Sequence, residues 1–252
     1  MPVTPETFND FSKIPGVSGK GYYEPATKVV TFDNITIEKD ADICFFNGVT
    51  GLTVRVIGNN TLTSANNVAI SGLASGSMTF EGDGKLVANG STDANLEILR
   101  TGIWIMADIT VRNCTFEITG GVCGILGGEW TFDHCNVRVK GDGSNDKYAG
   151  SINYLLDIPK FIGCSIVSPG NTKWQDFTIQ TTNYYTLYGE DDKAVTDWVV
   201  IEPDETAIAR PTVKPVTAKQ GIYNLNGVRL SAPLKDLPKG IYIVNGKKVV
   251  KQ

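Results

Sequence analysis

The chain has 252 residues, 41% hydrophobic and 20% charged, with 27 Gly and 11 Pro, a composition that excludes disorder, collagen and a disulfide-dense miniprotein. With 23 Lys+Arg against 27 Asp+Glu the net charge is −4, so no basic surplus exists to neutralise a phosphate backbone, and nucleic acid is not an expected partner. No stretch approaches the roughly 20 apolar residues of a membrane span, and the N-terminus has neither the basic region nor the apolar core of a signal peptide.

Residues 1–27 read as a lead or cap to a repeat that occupies 28–202. An apolar-Thr-apolar triplet recurs along that stretch: Val30-Thr31-Phe32, Leu52-Thr53-Val54, Met78-Thr79-Phe80, Ile109-Thr110-Val111 and Trp130-Thr131-Phe132, with Pro159-Lys160-Phe161 as a degenerate sixth copy. Strands alternate faces with period two, so the apolar pairs are expected inside and Thr31, Thr53, Thr79, Thr110 and Thr131 outside, in one register. The next residue reads Asp33, Arg55, Glu81, Arg112, Asp133, alternating in sign at every step. Parallel stacking about 4.8 Å apart would set each charge against opposite ones. A further register, Thr36, Thr115, Asn136 and Ser165, is polar, and Glu117 and Arg138 make another opposite pair beyond it.

Corners fall at Asn34, Asn113, His134 and Gly163, residue types that tolerate left-handed backbone. Five cysteines without any Cys-x-x-Cys spacing predict neither a zinc site nor a disulfide framework, and Cys114, Cys135 and Cys164 read as an inward ladder of small apolar side chains. A third side of each coil is supplied by Ile43-Cys44-Phe45, Val68-Ala69-Ile70, Leu96-Glu97-Ile98, Val122-Cys123-Gly124-Ile125 and Ser151-Ile152. Together these features predict an all-β chain built as a right-handed parallel β-helix of about six short coils.

The phrasing Gly58-Asn59-Asn60-Thr61-Leu62-Thr63, the run Gly102-Ile103 to Phe116 with its Asp108-Ile109-Thr110-Val111-Arg112-Asn113-Cys114 centre, and Ile166-Val167-Ser168-Pro169-Gly170 carry a resemblance. They resemble β-helical surface proteins of Gram-negative gut and oral anaerobes, which are similar to the carbohydrate-binding β-helix family on the architecture of pectate lyases. The match spans residues 28–202, with Trp198-Val199-Val200-Ile201-Glu202-Pro203 as a closing segment. It implies the fold and transfers no binding residue.

Residues 203–220, with Pro203, Pro211 and Pro215, read as an extended linker. Residues 221–252 hold Gly221-Ile222-Tyr223-Asn224-Leu225-Asn226-Gly227 and Gly240-Ile241-Tyr242-Ile243-Val244-Asn245-Gly246, each ending in the Asn-Gly of a hairpin turn. Two hairpins predict a small β module. Its last segment, with Lys247-Lys248-Val249-Val250-Lys251, resembles the C-terminal sorting domain of the type nine secretion route. That resemblance implies an extracellular or outer-surface address and export machinery as a partner. An exported chain needs a leader that this sequence lacks, so a mature form or a fragment is expected.

Chemistry is sparse. The single histidine, His134, beside Asp133, holds a corner position and reads as a turn residue rather than a general base. Asp142-Gly143-Ser144-Asn145-Asp146 superficially suggests a calcium loop but lacks the bidentate Glu of an EF-hand and reads as a solvated turn. Asp40-Ala41-Asp42 and Asp191-Asp192 carry less, and no cofactor or metal is expected. Asp33, Glu81, Arg112 and Asp133 share a face, which supports a polysaccharide lyase or glycoside hydrolase as the alternative function. Their alternating order opposes it, because a cation beside each carboxylate lowers its pKa. Flat β faces with exposed aromatics suit sugar stacking. Trp130 reads as core, while Trp104, Trp174, Tyr184, Tyr185 and Tyr188 are the expected ligand contacts. The expected function is therefore non-enzymatic binding of a polysaccharide or another surface, with a purely structural spacer as the remaining reading.

Overall fold

Apolar residues at every second position, interrupted by Gly and Asn corners, leave this chain no way to bury its inward side except strand against strand. The computed structural model describes residues 3–142, 148–204, 221–225, 227–245 and 247–251. It is all-β, with three short 3-10 turns and no α-helix among the described residues. It divides into two units, Met1–Ala207 and Ile208–Gln252.

The first unit contains three ladders of parallel strands. The first ladder runs through Val29–Lys39, Leu52–Ile57, Met78–Gly82, Asp108–Arg112, Glu129–Asp133 and Lys160–Ile162. The second shares the C-terminal half of Val29–Lys39 and continues through Asn59–Ser64, Lys85–Asn89, Thr115–Gly120 and Asn136–Gly141. The third is Phe45–Asn47, Ile70–Gly72, Thr101–Trp104, Cys123–Leu126 and Gly150–Asn153. The chain visits the three ladders in turn and returns to the first one strand further on. An N-terminal strand, Val17–Glu24, pairs antiparallel with Val29–Lys39, after a 3-10 turn at Phe11–Lys13 whose cap, Asp10, accepts the Ser12 amide at 3.1 Å.

Between the ladders lies the core. Thr79, Thr110 and Thr131 are in register, which aligns Phe80, Val111 and Phe132 on the inward side, and Thr53 joins them through Thr79. Phe32, Phe80, Phe116 and Phe132 are fully buried, each contributing about 1.5–3 kcal/mol of apolar transfer. Phe132 stacks on Trp130 at 5.7 Å and on Phe161 at 5.6 Å. The corners take left-handed backbone, with φ of 53° at Asn34 and Asn113, 48° at His134 and 57° at Gly163, so His134 does hold a turn. All five cysteines are free, and Cys114, Cys135 and Cys164 are buried. Burial pushes the Cys114 thiol up to about 12, and burial together with its neighbours Cys164 and Cys114 pushes Cys135 upward as well.

Several registers differ from the sequence expectation. Val29, not Thr31, pairs with Thr53, and Thr31 lies beside Arg55. One extra residue in Gly58-Asn59-Asn60, opposite Asn34-Ile35, separates the two ladders there, and the slip of two carries on into the second ladder. Asp33 consequently pairs with Ile57 and leaves the charge series; its carboxylate lies 3.5 Å from Lys20 instead. The same offset puts Thr36 beside Thr61, two residues away from the register of Thr115 and Asn136. Ser165 is separated from Asn136 because Val199–Pro203 inserts antiparallel between the two strands and pairs Ser165 with Glu202. Glu117 and Arg138 are register neighbours, yet Glu117 takes Lys85 at 2.8 Å while Arg138 lies 4.4 Å over the Trp198 ring. Leu96-Glu97-Ile98 is no strand: Asp93 caps a 3-10 turn at Ala94–Leu99, and the third ladder is supplied by Thr101–Trp104.

Among its described residues the second unit forms a four-stranded antiparallel sheet in the order Arg229–Leu230, Ile222–Tyr223, Gly240–Val244, Lys247–Lys251, two hairpins joined through their inner strands. Its anchor is Tyr242, buried, whose hydroxyl donates to the Pro238 carbonyl at 2.8 Å. Residues 205–220, which include most of the expected linker, lie outside the described residues, as do 143–146 of the Asp142–Asp146 segment.

Candidate functional site

Along the third ladder, Phe45, Ile70, Ile103, Ile125 and Ile152 form one register and Phe46, Ser71, Trp104, Leu126 and Asn153 the next. The isoleucines are buried, so the second register belongs to the outer face. Leu126 is nevertheless buried there, within a small apolar cluster of Val122, Cys123 and Leu126 that is separate from the main core. Trp104, Tyr148, Tyr154 and Ile98 pack over that cluster and remain half-exposed.

Tyr154 is the centre of the arrangement. It follows the strand Gly150–Asn153 with φ of 53°, a left-handed conformation that costs a bulky residue about 1–3 kcal/mol and must be held by its surroundings. Two local devices hold it. The Tyr154 amide donates to Asn153 Oδ1 at 2.9 Å, and the next residue, Leu155, exchanges two 2.9 Å backbone hydrogen bonds with Tyr185. That exchange docks the hairpin Lys173–Ile179 and Thr182–Tyr188 beside the last strand of the third ladder. The Tyr154 ring then lies 5.4 Å from Tyr148, 4.7 Å from Phe177 and 5.7 Å from Tyr184, and Phe177 stacks on Tyr184 at 5.9 Å. Burial raises the Tyr154 pKa, with Tyr148, Tyr188 and Tyr184 adding to it, so the phenol stays neutral.

Alternation along the hairpin divides its aromatics. Trp174 opposes Leu187, Asp176 opposes Tyr185, and this side turns to the main core, where Leu187 is buried and Trp174 and Tyr185 pack on it. Phe177 and Tyr184 form the other side, with Lys173 opposite Tyr188. Of the five expected contacts, Trp104, Tyr184 and Tyr188 thus belong to the outer aromatic region, whereas Trp174 and Tyr185 cover the core. Tyr154, Phe177, Tyr188, Asn153 and Thr186 line a depression of about 180 Å³. Asn153 already spends its amide on the Tyr148 and Ala149 carbonyls and its oxygen on the Tyr154 amide and the Thr186 hydroxyl, so it shapes the depression. Tyr148, Tyr154 and Phe177 were not among the sequence candidates. The available signal was position, since Tyr148 and Tyr154 flank the strand around Ser151-Ile152.

The charged face is organised differently. Arg55, Glu81, Arg112 and Asp133 follow one another in register. Asp133 accepts from Arg112 Nε at 2.7 Å and lies 2.6 Å from His134 Nδ1. Burial acts to raise the Asp133 pKa, but the hydrogen bonds from His134 and Arg112 outweigh it and hold the carboxyl below its ordinary value. A general acid needs the opposite shift. Asp33, on its own ion pair with Lys20, does not converge with the others. Among the described residues no group of three His, Cys, Asp or Glu side chains could hold a metal ion, and no helix is long and apolar enough to cross a membrane. Compared with known proteins, the chain matches no family model, no curated protein and no solved structure.

Proposed function

We propose that the first unit is a right-handed parallel β-helix whose outer aromatic face binds a polysaccharide without cleaving it, outside the cell or on its outer surface. The successive visits to three parallel ladders support the β-helix, and the strong preference of parallel crossovers for one hand supplies its handedness. The observation that carries the function is the Tyr148, Tyr154, Phe177 and Tyr184 cluster, half-exposed and built around a residue held in left-handed backbone. Ring faces of this kind bury the apolar face of a sugar, at small cost in side-chain entropy because the rings already brace one another. The surface address rests on the resemblance of residues 221–252 to a sorting module.

The test is a glycan array run beside a reducing-sugar assay on the intact protein. Retention of a polysaccharide without release of reducing ends is expected. Release of sugar ends would favour the lyase or hydrolase, with Asp133 and His134 as the first residues to substitute. Silence in both assays would leave the structural spacer.

A further inference from the structure

We infer that the first turn of the stack holds a second binding site, for a small, uncharged, apolar molecule. A cavity of about 570 Å³ lies there, bounded by Phe8, Phe11 and Tyr23 of the N-terminal segment, Phe32 and Ile37 of Val29–Lys39, and Phe45 of the third ladder. Protein interiors are otherwise packed like organic crystals, and this volume falls in the range of small-molecule sites. Its walls are pre-formed. Phe8 meets Tyr23 edge to face at 5.4 Å, and Phe32 meets Phe45 in the same way at 5.4 Å.

The polar groups of the lining decide the chemistry. Asn47 donates to the Val49 and Gly76 carbonyls and accepts the Val49 amide, which accounts for its carboxamide. Lys39 Nζ donates to the Pro15 carbonyl at 2.5 Å, and the Cys44 thiol donates to the Ile37 carbonyl at 3.7 Å, its pKa pushed up to about 12 by burial. Asp42 is the other charged residue of the lining, and it is exposed. A water needs two to four polar partners, and the Asn47, Lys39 and Cys44 side chains of the lining are already engaged. An anionic head would meet Asp42 with Lys39 engaged elsewhere, so a neutral hydrocarbon or aromatic body fits best. In the third ladder Phe45–Asn47 stands at the opposite end from Gly150–Asn153, which makes this site distinct from the aromatic face.

The experiment titrates neutral N-phenyl-1-naphthylamine into the intact protein and follows its fluorescence. A saturable one-site rise, displaced by 1-decanol, is expected. The anionic analogue 1-anilinonaphthalene-8-sulfonate should bind more weakly. Val49→Trp, which fills the cavity, should weaken the neutral probe by about tenfold or more at unchanged circular dichroism. Cys44→Phe serves if that variant does not fold. Tyr184→Ala should leave probe binding unchanged, whatever it does to polysaccharide. The inference is overturned by the absence of a saturable rise, by equal binding of the sulfonate, by unchanged affinity in a folded filled variant, or by loss of the probe in Tyr184→Ala.

Discussion

Thr31 is 1% exposed and its hydroxyl has no hydrogen-bond partner. An unsatisfied buried hydroxyl costs about 1–3 kcal/mol, and a methyl in its place carries no such penalty. Thr31→Val should therefore raise stability by about 1 kcal/mol, read as a higher denaturation midpoint at unchanged slope. A lower midpoint would mean that the hydroxyl is paired in solution. Asp133 gives a residue-scale effect of the opposite kind, through protons. Its folded pKa lies below the unfolded value of about 3.9, so its stabilising contribution is fully present above that value and is lost as pH falls through the folded pKa. The stability gap between wild type and Asp133→Asn should accordingly be widest near neutrality and close in acid. A gap independent of pH would contradict the bonding seen around that carboxylate.

Strand pairing is where the alternating charges act. Arg112 stands in register between Glu81 and Asp133, and Arg112→Glu would replace two attractions with two repulsions. With Arg112 46% exposed, the loss should be about 1 kcal/mol, reduced in high salt. The check is a melting curve at low and high ionic strength; a salt-independent loss would locate the cost in packing. This part of the ladder was legible because Thr79, Thr110 and Thr131 precede their charges at constant spacing. Asp33 was not, because a slip of two residues leaves Val30 and Phe32 inward beside Val54 and Val56, and alternation is blind to a slip of two. In the hairpin the two sides are similarly aromatic, Trp174 and Tyr185 against Phe177 and Tyr184, and sequence alternation alone does not tell which side meets the core. The pairing of Leu155 with Tyr185 settles it, a contact between segments far apart in sequence.

At the scale of the whole molecule, repetition builds the core and irregularity builds the sites. The Val, Ile and Phe registers recur from strand to strand and were readable as a repeat. The aromatic face draws instead on the end of the third ladder and a hairpin outside the three ladders. The cavity likewise forms where the N-terminal segment meets the first turn. Both lie where the repeat stops, so no period announces them. Whether the aromatic face holds a polysaccharide is read by titrating a glycan retained on the array into wild type, Phe177→Ala/Tyr184→Ala and Trp174→Ala. Truncating Phe177 and Tyr184 should weaken binding by about tenfold or more while the fold persists, since stacking rings contribute about 0.5–1.5 kcal/mol each beyond their area. Trp174→Ala should lower the melting temperature and leave the affinity of the folded protein nearly unchanged. Full affinity in the folded Phe177→Ala/Tyr184→Ala protein would mean that the glycan is held elsewhere.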